Sequence, residues 1–326
     1  LRRQRQMCIR DSISTRLPSE LVSYIEKNSE AVITLTDNNF NNYLSDKEFE
    51  PADTKETDPA LILYTSGSTS KPKGVVIAHN HLWTITQKAN NKKLLEARIL
   101  IAAPCYHMNG LSNLEVALAG GATVVLMPKF QAATAVDLIA KHRVNYISSV
   151  PTMITLLLND LKDKDLSCVK HIAMASAPVS VGLYRRIKQN IPSATISIAY
   201  GSTEAGPGLF SRHLTLPTPE MSVGYPTDGI EYRLVDGILQ IKSPSMLLKY
   251  NDANPNLTDD GFFITNDLFK IDNNGFYYFV GRADDMFVSG GDNVYPRQVE
   301  SILEEHNCVK ESVVIGLEDD IKGMKP

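Results

Sequence analysis

Residues 65–74 combine hydroxyls, glycines and lysines in one short run, Thr65-Ser66-Gly67-Ser68-Thr69-Ser70-Lys71-Pro72-Lys73-Gly74, between the apolar segments LILY (61–64) and VVIA (75–78). Backbone N–H groups approach closely where side chains are absent, hydroxyls donate, and ammonium groups offset negative charge, so the run suits a phosphate. It differs from the P-loop of kinases and GTPases, because Pro72 occupies the place of that motif's second glycine and a strand-like segment follows where a helix is required. A mobile Ser/Gly linker would account for the small residues but has no use for Lys-Pro-Lys held between two strands. A second run, Tyr200-Gly201-Ser202-Thr203-Glu204-Ala205-Gly206, directly follows the apolar TISIA. Loops at the carboxyl ends of parallel strands are where open α/β sheets bind ligands. A carboxylate there can take Mg²⁺, which uses one or two protein oxygens beside phosphate and water. Alone, Glu204 also fits a solvated loop acid, and Tyr200 a core aromatic. The third run starts at Gly281-Arg282-Ala283-Asp284-Asp285 and continues through Gly290-Gly291 to Asn293-Val294-Tyr295-Pro296. By itself it also fits a salt-bridged turn. Upstream, Thr265-Asn266-Asp267 reads as a strand end whose carboxylate could accept both hydroxyls of a ribose. His107, in PCYHMNG, alone fits a packed core histidine.

The elements that must position these groups alternate helix with short apolar strand, the pattern of an α/β protein with a largely parallel sheet. A helix is expected over 18–28, a buried strand at Ala31–Leu35, and a polar connector over 36–59. Strands follow at 61–64, 75–78, 122–127, 145–150, 171–176 and 195–201, with helices at 134–144, 151–161 and VGLYRRIKQ between them. From about 207 to 283 the texture becomes β-rich, with an Asn-Asn-Gly hairpin turn, and predicts a small barrel or sandwich. After it come a loop, an amphipathic helix in NVYPRQVESILEEH, and a strand in ESVVIG (311–316). The 326 residues suffice for about two domains, and a net charge of −4 argues against a general nucleic-acid binder. No apolar run is long enough to span a membrane. Cys8, Cys105, Cys168 and Cys308 lie far apart and read as reduced thiols in a cytoplasmic setting.

Taken together, YTSGSTSKPKG, YGSTEAG, ITND and GRADDMFVSGGDNVYPRQVE resemble, in order and spacing, the motifs of the adenylate-forming superfamily of acyl- and aryl-CoA synthetases, firefly luciferase and peptide-synthetase adenylation domains. The match runs from about residue 50 to 326. It implies a large AMP-binding domain of parallel and mixed sheets flanked by helices with a small β-barrel over 13–283, then the start of a small α+β C-terminal domain over 284–326. The resemblance implies that Thr65, Ser66, Gly67, Ser68, Thr69 and Lys73 contact ATP phosphates. It puts Ala175, Ser176 and Ala177 on one face of adenine, with Tyr200 and Gly201 on the other. Thr203 would meet the α-phosphate, Glu204 would hold Mg²⁺, and Asp267 and Arg282 would hold the ribose. Asp284 would be the hinge residue, followed by Gly290 and Gly291, and His107 the gate beside the acyl carboxylate. Thr65, Lys73, His107 and Glu204 are the expected catalytic set.

The implied reaction joins a small carboxylic acid to coenzyme A at the expense of ATP, through acyl-adenylate and pyrophosphate. SGGDNVYPRQVE resembles the CoA synthetases most closely. An acyl-AMP ligase, a carrier-loading adenylation domain and an inactive nucleotide-binding module remain alternatives. The pocket around 107–110, 175–178 and 201–208 is small or apolar and suits an uncharged acyl or aryl tail. Ser70 and Asn266 stand where the family has glycine. Asn is the next best residue for a left-handed backbone. The opening residues 1–12 read as a non-native or disordered leader, and both ends read as cut, so the chain is expected to be an internal piece with little adenylation activity of its own.

Overall fold

The computed structural model describes residues 10–14, 16–44, 53–65, 71–81, 85, 89, 94–161, 164–306, 308–309, 312–319 and 321–326. Its first layer is a small mixed sheet. Strand β1 (Arg10–Asp11) runs parallel to β2 (Pro59–Thr65), which forms an antiparallel pair with β3 (Lys73–Ala78). Leu61, Leu63, Val75 and Ile77 are buried against the β-rich part of the molecule. Helix α1 (Ser19–Asn28) braces this sheet, because the Asn28 side chain accepts a 2.8 Å hydrogen bond from Tyr64 Oη.

The expected strand at Ala31–Leu35 is absent. Val32 is 80% and Ile33 54% exposed. Side chains rather than a neighbouring strand satisfy this backbone: Asn39 Nδ2 donates to the Thr34 carbonyl, and Asn39 Oδ1 accepts from the Thr36 N–H. Apolar composition alone does not make a strand where local side chains take the backbone's bonds first.

The second layer is the parallel sheet. Its strands are β4 (Arg98–Ile101), β5 (Thr123–Leu126), β6 (Tyr146–Ser149), β7 (His171–Met174) and β8 (Thr195–Ile198), in the order β5-β4-β6-β7-β8. They alternate with α2 (Met108–Ala119), α3 (Ala132–His142), α4 (Pro151–Asn159) and α5 (Val181–Asn190). Parallel strands in such a sheet are buried on both faces. In β4, Leu100 joins a core with Ile139, Ile154, Leu157 and Ile187, while Ile99 and Ile101 face a second cluster with Ala117. Helix starts follow their local chemistry. Pro151 opens α4, where its missing N–H costs nothing. Ser180 Oγ caps α5 by accepting from the Leu183 N–H at 3.0 Å.

Beyond residue 207 a ribbon of β9 (Phe210–Ser211) and β10 (Tyr225–Pro226) precedes an antiparallel sheet of β11 (Glu231–Val235), β12 (Ile238–Lys242), β14 (Phe263–Ile271) and β15 (Tyr277–Arg282). Between them β13 (Lys249–Tyr250) leaves this sheet and pairs antiparallel with β3. Asp267 was expected at a strand end, but β14 runs on to Ile271, kinked by a bulge between Leu268 and Phe269. The C-terminal segment has a hairpin of β16 (Phe287–Ser289) and β17 (Asp292–Val294), then α6 (Pro296–Leu303), β18 (Leu317–Asp319) and β19 (Gly323–Lys325). The strand expected at 311–316 is not formed over its described part. Ser312 and Val314 instead bond to the carbonyl and carboxylate of Glu300 on α6. Among the described residues no helix is long and apolar enough to cross a membrane.

Candidate active site

Thr65 pairs with Lys73 across the β2–β3 hairpin, so the strands deliver both ends of the phosphate-type loop to one edge of the molecule. Ser66, Gly67, Ser68 and Thr69, together with Ser70, lie outside the described residues. Lys71 lies over the Tyr24 ring at 5.3 Å, and Tyr24 Oη is anchored on Asp252 at 2.5 Å. Lys73 lies 5.9 Å from the centroid of the Tyr250 ring. Tyr250 stands opposite Val75 in the β3–β13 pairing, and its Oη donates a 3.0 Å hydrogen bond to Glu204 Oε1. Burial raises the Tyr250 pKa, and the Glu204 charge raises it further, so the phenol stays protonated as a donor. The lysine-bearing turn and Glu204 therefore meet at Tyr250.

The loop that carries Glu204 leaves β8 and closes on itself. Ser202 and Gly206 exchange backbone hydrogen bonds of 3.1 and 2.9 Å, and Ser202 Oγ accepts from the Ala205 N–H at 2.9 Å. Thr203 and Glu204 form the tip of this turn, both half-buried. Gly201 is required by close approach: a Cβ there would lie 2.8 Å from the Gly206 carbonyl oxygen. Ala205 points into the core, and the Glu204 carbonyl accepts from Leu247 N–H at 2.7 Å.

Tyr200 opens the same loop and reaches the antiparallel sheet, where its Oη donates to Asp267 Oδ2 at 2.5 Å. Arg282, the register partner of Asp267, bridges Asp267 Oδ1 at 3.2 Å and Asp284 Oδ2 at 2.9 Å. Asp267 is buried, and that burial raises its pKa despite the opposing influence of Tyr200 and Arg282. Tyr200 is raised well above its ordinary value, first by burial and then by the Asp267 charge. Asn266 adopts φ 58°, the left-handed conformation for which Asn substitutes for Gly. That turn lets Asp267 present its carboxylate beside Tyr200 from within a continuous strand.

Ala175, Ser176 and Ala177 follow β7, one strand over from Tyr200. Ser176 has φ 68°, a strained conformation of the kind that clusters at ligand sites. Its Oγ accepts from Asn109 Nδ2 at 3.3 Å. His107, the N-cap residue of α2, is exposed rather than packed in the core, and its ring is tilted against Tyr106 with centroids 4.6 Å apart. Partial desolvation lowers its imidazole pKa. Gly110 has no room for a Cβ, which would fall 2.4 Å from the Pro104 carbonyl oxygen. Gly290 and Gly291, at φ 60° and 97°, form the two-residue turn of the β16–β17 hairpin. No contact among the described residues links them to Tyr200 or Glu204.

One contributor escapes sequence reasoning. Tyr250 sits in LLKYND with no spacing signature, and only the β3–β13 pairing brings it to Glu204. Asn109 falls within the expected pocket segment 107–110, but its bond to Ser176 leaves no trace in the sequence.

A family model described as AMP-binding enzyme matches residues 8–244. The chain belongs to the AMP-binding enzyme family. Among curated relatives of this chain is the 2-succinylbenzoate–CoA ligase of Bacillus pumilus, 33% identical over 288 residues, covering 82% of this chain and 58% of the relative. The solved structure of ATP-bound MatB from Rhodopseudomonas palustris matches with a TM-score of 0.77 at 29% identity, covering 85% of this chain and 58% of that one. The o-succinylbenzoate CoA synthetase of Bacillus subtilis, solved with the acyl-adenylate intermediate OSB-AMP, matches with a TM-score of 0.76 at 25% identity, covering 96% of this chain and 71% of that one. The chain spans rather more than half the length of the curated relatives it matches. Its α/β architecture is that of the adenylate-forming enzymes.

Proposed function

We propose that this chain carries the nucleotide- and acid-binding part of an ATP-dependent carboxylic acid–CoA ligase. The observation that carries the reading is the convergence at Tyr250 of the lysine-bearing turn and Glu204, with the Tyr200–Asp267–Arg282 group beyond the same loop. ATP would lie across this surface. Tyr200 and Gly201 would meet one face of adenine and Ala175, Ser176 and Ala177 the other, with Asp267 and Arg282 on the ribose and Thr203 at the α-phosphate. Thr65 and Lys73, with Ser66, Gly67, Ser68 and Thr69, would hold the β- and γ-phosphates.

The donor set fits Mg²⁺ bound jointly with phosphates. Glu204 offers Oε2, which has no hydrogen-bond partner among the described residues, and those residues contain no cluster of three or more metal-ligating side chains. A single carboxylate with phosphate oxygens and water is the common Mg²⁺ arrangement, whereas an all-protein cage is not. When bound, Mg²⁺ offsets charge on the phosphates. The protein's own contribution is placement: His107 borders the acid, and the loops hold the carboxylate in line with the α-phosphorus. Attack there forms the acyl-adenylate and releases pyrophosphate, and a thiol then displaces AMP. Placing two anions together and offsetting their repulsion is the catalytic work, and donors and cations do it without a covalent nucleophile from the chain.

Coenzyme A is the proposed thiol, supported by the CoA-ligase names of the relatives, and the widely spaced cysteines of the sequence fit a cytoplasmic setting. Asp284, Gly290 and Gly291 would lie at the hinge that admits the thiol. Carrier-protein loading is the second reading. The test is binding of non-hydrolysable acyl-sulfamoyl adenosines by calorimetry. We expect aryl and aliphatic forms to bind, ATP to compete and GTP not to compete. Equal competition by GTP would overturn the reading.

A further inference from the structure

We propose that Tyr250 is a positioning residue that stands between Glu204 and Lys73 and keeps both groups available to a metal-bound triphosphate. The inference rests on the reading of Glu204 as the metal carboxylate given above. It goes beyond that reading by assigning the arrangement of the two charged groups to a third residue.

The segment 247–251 grips both halves of the site. Its Leu248 and Asn251 N–H groups donate to the Val76 and Gly74 carbonyls at 2.8 and 3.0 Å, which ties it to the strand bearing Lys73. Its Leu247 N–H donates to the Glu204 carbonyl at 2.7 Å, which ties it to the acid's backbone. Tyr250 projects from the middle of this clamp. Its Oη occupies Glu204 Oε1, and its ring lies alongside the Lys73 ammonium at 5.9 Å.

A lysine and a glutamate lining the same anion site tend to pair with each other. Such a pair would have to be broken each time nucleotide and metal bound. Among the described residues no ion pair joins Lys73 to Glu204. The phenol gives the carboxylate one neutral partner on one oxygen, and the other oxygen has no hydrogen bond among those residues. The ring gives the ammonium a weak cation–π contact that a phosphate can readily replace. The phenol can only donate to the carboxylate, so it orients the acid without competing for a cation.

The test measures ATP affinity of the chain by calorimetry with and without Mg²⁺, and takes the ratio of the two. Glu204→Gln should abolish the Mg²⁺ enhancement. Tyr250→Phe keeps the ring and removes one oxygen, and the enhancement should fall about tenfold, which corresponds to about 1.4 kcal/mol and lies near the range of a hydrogen bond to a charged group. Tyr250→Phe should leave metal-free ATP affinity within twofold of the wild type while the ratio falls, whereas a merely structural role would weaken metal-free binding as well. Tyr250→Leu, which also removes the ring, should weaken metal-free ATP binding as well. If Glu204→Gln loses the enhancement while Tyr250→Phe stays within twofold of the wild type, the positioning role is wrong and the metal assignment stands. If the wild-type chain shows no Mg²⁺ enhancement, both fall.

Discussion

Asp267 sits in a setting that costs stability, as expected of a group kept for binding. Its carboxylate is buried, held by Tyr200 and Arg282, and still has a raised pKa, with burial the largest cause. The fold therefore disfavours its charge relative to the unfolded chain. Between the ordinary carboxylate range and the raised folded value, the native state binds more protons than the unfolded one, so this residue's contribution to stability falls as pH rises through that window. Asp267→Asn keeps an acceptor for Tyr200 and removes the charge. We expect it to be at least as stable as the wild type to urea at pH 7, with the gap closing as pH falls toward the carboxylate range. AMP affinity should drop roughly tenfold or more, the value of a charge-assisted bond to the ribose. Greater stability at the expense of binding would mark Asp267 as a binding group. Its position was legible in ITND, but its partnership with Tyr200 was not, because the two are 67 residues apart and meet only through the fold.

At the scale of elements, the loops depend on close backbone approaches that tolerate no side chain. The start of α2 packs Gly110 onto the carbonyls of Ala103 and Pro104, at 2.5 and 2.4 Å from a built Cβ. Backbone cannot swing aside as a side chain can, so Gly110→Ala must push α2 away from the end of β4. Overpacking of this kind costs about 1–3 kcal/mol. A matching fall in unfolding free energy by urea is expected, and no loss would show that the helix start is looser than described. Of the parallel strands, β5 to β8 were legible as short runs between helical segments, whereas β4, inside the sheet, was missed although its Ile99, Leu100 and Ile101 are buried and apolar. Ala31–Leu35 and residues 311–316 were misread as strands because both are apolar. Asn39 and Glu300 side chains capture their backbone groups instead, and such captures leave no periodic trace. β13 was missed because two residues are too few to show a period, although this short strand brings Tyr250 to Glu204.

Over the whole molecule, the parallel sheet, the β2–β3 hairpin and the antiparallel sheet are joined through Tyr200, Glu204 and Tyr250, and acid is expected to weaken the parallel sheet at an identifiable point. His171, at the start of β7, is stacked on Tyr146, bonded to Ser197 Oγ at 2.9 Å and approached by Arg212 at 3.2 Å. Burial, with help from the Arg212 charge, pushes its pKa down to about 4. The unfolded chain takes this proton near 6.5 and the folded one only near 4. As pH falls through that window the unfolded state binds more protons, and stability drops by at most about 3 kcal/mol. His171→Gln should flatten this limb in urea unfolding at pH 7, 5.5 and 4.5, and an unchanged slope would place the acid sensitivity elsewhere. The joining of these layers is tested most directly by a crystal structure of the chain with Mg²⁺ and a non-hydrolysable ATP analogue. The account predicts one nucleotide with its ribose on Asp267, adenine against Tyr200, and its phosphates running between Glu204 and Lys73. A nucleotide bound away from Tyr250, or phosphates touching only one of those two charged residues, would contradict it.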